Sequence, residues 1–214
     1  MIKELKIPIA NSEVRDLRAG DSANLSGVMI TARDSAHKWM SDNFIKKTKT
    51  ASLEDLQILS ELRPILEGGL IYHCGPIVAG LATKNYQFVA AGPTTSIREE
   101  PYQGDIMRFF NLKGVIGKGG MGAQTLQACQ EVPAVYFHAV GGAASLIAES
   151  VKKVLGVFKM EFGVPEAIWV IEVENFPAVV TMDSHGNSLH ESVRRNSKEV
   201  LERLIAKRSD ESLI

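Results

Sequence analysis

Three cationic residues lie in short segments rich in glycine and small polar residues, each placed where a strand is expected to end. The segments are TARD (31–34), GPTTSIR (92–98), GKGGMG (117–122) and GGAAS (141–145). The first three contribute Arg33, Arg98 and Lys118. An arginine binds a carboxylate through two parallel hydrogen bonds, a lysine adds a point charge, and helix N-termini offer free N–H groups. Together these residues predict an anion-binding site, although any one of them could be an ordinary surface charge.

The segment GKGGMG also matches a dinucleotide-binding pattern, because Gly117, Gly119 and Gly122 are spaced as G-x-G-x-x-G. A dinucleotide site needs an acidic residue at the end of the next strand, and the run AVYFHAVG (134–141) contains none. A phosphate-binding P-loop needs Ser or Thr after the lysine, where this chain has glycine. A nucleotide-binding module is therefore a less favoured alternative.

The histidines and cysteines form no recognisable catalytic or metal-binding pattern. His73 and Cys74 are adjacent on a predicted strand, so their side chains point to opposite faces. His138 lies in an apolar run and His185 in a turn, and both fit structural roles. The sequence has no H-E-x-x-H and no G-x-S-x-G element. Any metal or cluster used in catalysis is therefore expected to come from another chain.

The composition excludes several classes of protein. The 214 residues carry 24 Lys and Arg against 25 Asp and Glu, which does not favour a nucleic-acid-binding protein. Two cysteines exclude a disulfide framework and a four-thiolate metal site within this chain. The sequence has no signal-peptide pattern and no apolar run of about 18 residues, so we expect a cytoplasmic protein that does not enter the membrane.

Short apolar strands alternating with helices predict the α/β class, with a mixed sheet flanked by helices in one domain. Strands are expected at residues 24–31, 70–72, 88–91, 114–116, 134–137, 167–173 and 178–182, the last two as an antiparallel pair. Helices are expected from residue 34, over 53–66 with a break near Pro64, over 124–129, over 143–154 and over 189–205. Residues 1–190 are expected to form the domain, and residues 191–214 an amphipathic C-terminal helix and tail. Ligands of such sheets bind at the carboxyl ends of strands.

Seven motifs occur in an order that resembles one enzyme family. They are TARDSAHK (31–38), IYHCGP (71–76), AGPTTSIR (91–98), VIGKGGMG (115–122), AVYFHAVGGAA (134–144), PEAIWVIEVENFP (165–177) and DSHGN (183–187). This order resembles the β subunit of iron–sulfur hydro-lyases, the family of class I fumarate hydratase and L-tartrate dehydratase. The resemblance implies a swivelling β/β/α-type fold.

The resemblance also implies a partner and a cofactor. In the family, an α part binds a [4Fe-4S] cluster through three cysteines, and the β part has no cluster ligands. The active form would be an α2β2-type hetero-oligomer that reversibly hydrates fumarate to malate. Dehydration of L-tartrate to oxaloacetate is the second possibility. A purely structural subunit is a third.

Four residues of this chain match family positions. Arg33, Arg98 and Lys118 match positions that bind substrate carboxylates, and Thr94 matches the position of the catalytic base. A threonine hydroxyl needs a proton acceptor to act as a base, and we expect a carboxylate of the α subunit. Thr94 could instead cap the following helix. Gly142 would offer a backbone N–H to the substrate, unless it serves only for close packing.

Overall fold

A mixed seven-stranded sheet forms the centre of the protein in the computed structural model, which describes residues 2–211 and, in the last helix, side chains up to residue 205. The strands are β1 (Lys3–Ile7), β2 (Ser22–Thr31), β3 (Leu70–Tyr72), β4 (Ile77–Ala79), β5 (Gln87–Ala90), β6 (Gly114–Gly117), β7 (Val135–His138), β8 (Val151–Phe158) and β9 (Ile168–Met182). The helices are α1 (Asn11–Arg15), α2 (Asp34–Met40), α3 (Leu53–Leu66), α4 (Glu100–Phe110), α5 (Ala123–Glu131), α6 (Ala144–Glu149) and α7 (Leu189–Glu211). A π-helical turn, Ser41–Ile45, extends α2, and a 3-10 turn, Ser96–Glu99, precedes α4.

The sheet closes into a ring. Its strand order is β1-β2-β3-β6-β7-β9-β8, and β9 also pairs with β2. The strands β2, β3, β6 and β7 run parallel, whereas β9 is antiparallel to its neighbours. The four parallel strands end in register, since Thr31 pairs with Tyr72, Tyr72 with Ile116, and Gly117 with His138. The segments that follow these strands therefore begin at one edge of the ring.

The expected pair of strands at residues 167–173 and 178–182 is wrong, because β9 is one strand of 15 residues. Its two halves pair with the same strand, β2, across a register shift between Leu25 and Gly27. Asn175 adopts a left-handed conformation (φ 52°) and donates its backbone N–H to Ser26 Oγ at 3.0 Å. This irregularity bends β9 without ending it, so that it reaches both β8 and β7.

Two helix boundaries also differ from the prediction. The helix expected over 143–154 ends at Glu149, and β8 begins at Val151 because its β-branched residues pair with β9. Helix α3 continues through Pro64 to Leu66, whose buried side chain anchors the last turn. The predicted α/β class, with flanking helices and a C-terminal helix, is confirmed.

Two apolar clusters pack on opposite faces of the strands. Successive residues point in opposite directions, so Tyr72 and Phe137 belong to one cluster while Ile71 and Tyr136 belong to the other. The second cluster includes residues of α2, α3, α4 and α5, which cover the outer face of the ring. This layer supports the loops at the carboxyl ends of the strands. Within residues 2–211, no helix has the length and apolarity needed to cross a membrane.

Candidate functional site

The predicted site segments meet at the edge of the ring where the parallel strands end. Arg33 follows β2, Lys118 follows β6, and Gly142 follows β7. The segment GPTTSIR follows β5, which belongs to a separate two-stranded sheet with β4, not to the main sheet as expected. It nevertheless folds against the end of β3, where Pro93 pairs with Cys74. All four segments therefore lie along one edge.

Backbone hydrogen bonds join the Thr94 segment to both neighbouring strand ends. The Thr94 N–H donates to the His73 carbonyl at 2.7 Å. The Lys118 N–H donates to the Thr94 carbonyl at 3.1 Å, and the Ser96 N–H donates to the Lys118 carbonyl at 3.1 Å. Thr94 and Lys118 are therefore fixed relative to one another by backbone hydrogen bonds, which form just beyond the ends of β3 and β6.

Arg33 is held by an ion pair in a tight pocket. Its Nη1 lies 3.3 Å from Glu166 Oε1, and each side chain is 20% exposed. The second Glu166 oxygen accepts the Ser35 N–H of α2 at 3.0 Å. A Cβ at position 75 would lie 2.5 Å from Arg33 Nη1, so a side chain there would displace the guanidinium from this position. Arg33 Nε is buried without a hydrogen-bond partner.

Arg98 lies beside the same helix N-terminus. Its Nη2 is 3.1 Å from Asp34 Oδ2, and both side chains are about half exposed. Since Asp34 directly follows Arg33, the two arginines are connected through one acidic residue. Neighbouring Glu99 is buried, and neither of its carboxylate oxygens has a hydrogen-bond partner. Burial and the negative charge of Asp34 raise the pKa of Glu99 to about 7, against the opposing effect of Arg98 and Arg33.

The Thr94 hydroxyl does not cap the turn that follows it. Its Oγ1 donates to the His73 carbonyl at 3.0 Å, and the N-cap of that turn is Thr95, which makes no side-chain capping bond. The capping alternative is therefore wrong. Within residues 2–211, no carboxylate is hydrogen-bonded to the Thr94 hydroxyl. A carbonyl cannot take the hydroxyl proton as a base would, so the His73 carbonyl orients the Thr94 hydroxyl without activating it.

Lys118 and Gly142 lie on the other side of Thr94. Among the described residues, Lys118 has no carboxylate within ion-pair distance, and its Cδ lies 3.5 Å from the place of a Cβ at Gly141. Gly142 is exposed and adopts a φ of 88°, with open space where a side chain would begin. Close packing therefore does not explain this glycine, but its left-handed backbone does.

The N-terminus of α5, where a nucleotide phosphate would bind, is filled by a carboxylate of this chain. Glu100 accepts the N–H groups of Gly122, Gln124 and Thr125 at 2.8, 2.9 and 3.2 Å. It also accepts the Thr125 hydroxyl at 2.6 Å. A phosphate would have to displace this carboxylate, so the structure argues against the nucleotide-binding alternative for GKGGMG.

The chain's own residues do not suit an iron–sulfur cluster. Cys74 and Cys129 are both buried and belong to different apolar clusters. Burial raises the pKa of each thiol to about 12, which disfavours the thiolate form that a cluster requires. In the part of the chain that the structure describes, no three or more His, Cys, Asp or Glu residues form a group that could hold a metal ion.

Sequence reasoning missed the residues that hold the arginines. Glu166 and Gly75 lie inside quoted motifs, yet neither was singled out, because their role depends on a contact between distant parts of the chain. Glu99 was also missed. The signal that could have drawn attention to it is its position directly after Arg98, at the start of a helix packed on the ring.

Comparisons with known proteins show which proteins this chain resembles. A protein of Geobacillus stearothermophilus, provisionally named fumarate hydratase class I, is 47% identical over 92% of this chain but only 35% of its own length. The L(+)-tartrate dehydratase subunit beta of Escherichia coli K12 is 35% identical over 95% of this chain and 92% of its own length. A Methanocaldococcus jannaschii protein, provisionally named as the same subunit, is 37% identical over 92% of this chain and 95% of its own length.

The chain therefore spans about a third of the Geobacillus relative and nearly all of each beta subunit. The family model described as Fumarase C-terminus matches residues 2–193, which include every segment of the candidate site. By this match and by these relatives, the chain belongs to the Fumarase C-terminus family.

Proposed function

We propose that this chain is the β subunit of a two-subunit hydro-lyase that reversibly adds water to fumarate to form malate. The observation that carries the proposal is the shared location of Arg33, Arg98, Lys118 and Thr94 at one edge of the ring. Dehydration of L-tartrate is the second candidate, favoured by the relatives named as tartrate dehydratase subunits.

The chain acts with a partner α subunit in this proposal. The beta-subunit names of two relatives, and the greater length of the Geobacillus relative, support a partner that supplies the rest of the enzyme. The [4Fe-4S] cluster belongs to that partner, since neither thiol of this chain suits it. We expect an α2β2-type assembly in the cytoplasm, where free cysteines such as these two remain reduced.

The division of the chain supports the same assignment. We assign residues 1–190 to the functional unit and the chain from residue 191 onward to a C-terminal helix and tail, although helix α7 already begins at Leu189. The match to the family ends at residue 193, close to this boundary. The two ranges include residues 1 and 212–214, which lie outside the residues that the structure describes.

Each site residue has a distinct part in binding and proton transfer. Arg33 and Arg98 bind the substrate carboxylates, because their ion pairs with Glu166 and Asp34 already fix each guanidinium and leave N–H donors free. Lys118 adds a positive charge that no carboxylate of the described residues neutralises, whereas Arg33 and Arg98 are each paired with one. In the dehydration direction, the Thr94 hydroxyl gives its own proton to an acceptor on the partner and takes the proton from the substrate carbon, and in the hydration direction both transfers are reversed. The Gly142 N–H completes the pocket.

The test measures fumarate hydration by this chain together with its cluster-bearing partner, from the loss of fumarate absorbance in the ultraviolet. Arg98→Ala and Lys118→Ala should each remove about 2–4 kcal/mol of transition-state stabilisation, or roughly 30- to 1000-fold in rate. Arg194→Ala, an exposed position on α7, is the matched control. Unchanged activity in both site variants, or full turnover by the partner alone, would overturn the proposal. Parallel assays with L-tartrate decide between the two substrates.

A further inference from the structure

A row of buried polar side chains lies beneath the candidate site. The row consists of His37 on α2, Gln103 on α4, His73 after β3, Ser96 in the 3-10 turn and Tyr136 on β7, and all five residues are fully buried. The structure places the Gln103 Oε1 atom 2.9 Å from the Nε2 atoms of His37 and His73, and the oxygen and nitrogen of this amide exchange places when the side chain is turned by 180°. His73 Nδ1 lies 2.8 Å from Ser96 Oγ, which accepts the Tyr136 hydroxyl at 2.9 Å.

Each part of this row reaches a segment of the site through the backbone. His37 Nδ1 lies 2.9 Å from the Arg33 carbonyl. The His73 carbonyl accepts both the N–H and the hydroxyl of Thr94. The Ser96 N–H donates to the Lys118 carbonyl. The row therefore connects all three segments that carry Arg33, Thr94 and Lys118, while none of its own side chains is among the proposed substrate contacts.

The hydrogen-bond donors in the row can be assigned from its ends. The Arg33 carbonyl can only accept, so His37 must carry its proton on Nδ1. Burial lowers the pKa of both imidazoles, and the proximity of His37 lowers that of His73 further, so both rings are neutral. The Nε2 of a neutral His37 must then accept, and its partner on Gln103 must be the amide nitrogen.

The same nitrogen faces His73 Nε2, which also accepts a hydrogen bond. His73 then carries its proton on Nδ1 and donates it to Ser96 Oγ. If the amide oxygen faced the two rings, His37 would need protons on both nitrogens, and its burial disfavours that charged form. One atom of the Gln103 amide is buried without a partner in either orientation, so that feature does not decide between them. A single orientation of Gln103 therefore gives each imidazole a complete set of partners.

We propose that Gln103 is a positioning residue, a double donor between two neutral histidines that fixes the Arg33 segment relative to the Thr94 segment. The catalytic part of this inference rests on the proposed function. Gln103 contacts no substrate and acts through the backbone at both ends of the row. Loss of its two hydrogen bonds frees the two segments to shift against each other, and displacements of about 1 Å are enough to reduce turnover by about 100-fold.

The kinetic test compares Gln103→Met and Gln103→Glu with the wild type in the complex with the partner subunit. In Gln103→Met, we expect kcat to fall by about 10- to 100-fold at every pH, with KM changed by less than about threefold, because the substrate-binding cations remain. Gln103→Glu keeps the shape of the side chain, but an ionised carboxylate can only accept hydrogen bonds. An adjacent imidazole must then carry an additional proton to donate to it, so kcat should depend on pH as that imidazole gains or loses the proton. The control is Gln57→Met, an exposed helix position. A Gln103→Met enzyme within twofold of the wild-type kcat overturns the proposal.

A spectroscopic test needs neither a variant nor turnover. In the full wild-type chain labelled with nitrogen-15, the imidazole resonances of His37 and His73 should both report the neutral form protonated on Nδ1 at pH 7. An Nε2-protonated or doubly protonated His37 overturns the Gln103 orientation. If the complex fails to act on fumarate and on tartrate, the proposed function fails, while the imidazole spectra still decide whether the row exists as described.

Discussion

The buried carboxyl of Glu99 should make the stability of this chain fall as the pH rises. Its pKa lies near 7 in the folded protein, compared with an ordinary value of 4.5. Below pH 4.5 the group is protonated in both the folded and the unfolded state, so its contribution is fully favourable. Between pH 4.5 and 7 the unfolded chain releases the proton while the folded chain retains it, and stability is progressively lost.

The size of this effect follows from the two pKa values. Each pKa unit corresponds to about 1.4 kcal/mol, so the change from 4.5 to about 7 sets an upper bound of about 3 kcal/mol. The half-exposed side chains of Arg98 and Asp34 admit solvent that screens the charge, which reduces the expected effect to about 1–2 kcal/mol. Glu99→Gln, which stays neutral, should therefore match the wild type only below pH 4.5, gain on it as the pH rises from 5, and exceed it by this amount at pH 8.

Urea denaturation of the full chain at pH 5, 6, 7 and 8 measures this difference. Glu199→Gln, an exposed position on α7, is the matched control and should differ little from the wild type at any pH. If the difference between Glu99→Gln and the wild type stays constant over this range, or if the wild type is the more stable protein at pH 8, the account of Glu99 is refuted. A protonated Glu99 also leaves the charges of Arg33 and Arg98 available to a substrate.

Three other substitutions test separate contacts. Gly75→Ala should reduce hydration activity at least about 10-fold, since the new Cβ would lie 2.5 Å from Arg33 Nη1. The control is Gly156→Ala, which has open space around the new Cβ and should leave activity unchanged in the same assay. Glu100→Ala removes the acceptor of four hydrogen bonds and should lower the free energy of unfolding by about 2–3 kcal/mol in urea titrations. Thr94→Val should lower kcat by about 100-fold or more while Thr94→Ser retains most of it, and equal kcat values for the two variants would contradict a role for the hydroxyl.

The sequence was sufficient to predict the edge of the sheet at which the site lies. Arg33 and Lys118 each follow a short buried apolar run, and the carboxyl ends of neighbouring parallel strands necessarily meet at one edge. This inference needs only the apolar pattern and the rule for parallel sheets. It does not need the strand order.

The partners of the site residues could not be predicted in this way. The ion pair between Arg33 and Glu166 joins residues more than a hundred positions apart, and no local pattern relates them. The length of β9 was missed for a similar reason, because Asn175 and Pro177 read locally as a turn, whereas pairing with β2 on both sides keeps the strand continuous. The local turn propensity of Asn175 and Pro177 is therefore weaker than the hydrogen bonds that β9 forms with the distant strand β2.

The charge arrangement shows how the candidate site can be ordered before the proposed dianion binds. Three cations at one edge would repel each other, but Glu166 and Asp34 neutralise Arg33 and Arg98 through one nitrogen each. A guanidinium has five N–H donors, so each arginine keeps donors for a carboxylate while its plane stays fixed. Lys118 has no carboxylate partner among the described residues. Unlike the charges of Arg33 and Arg98, its charge is therefore neutralised only when an anionic ligand binds. Removing Lys118 should accordingly weaken binding of a dicarboxylate more than binding of the corresponding monocarboxylate, which titration of the assembled complex with the two acids would measure.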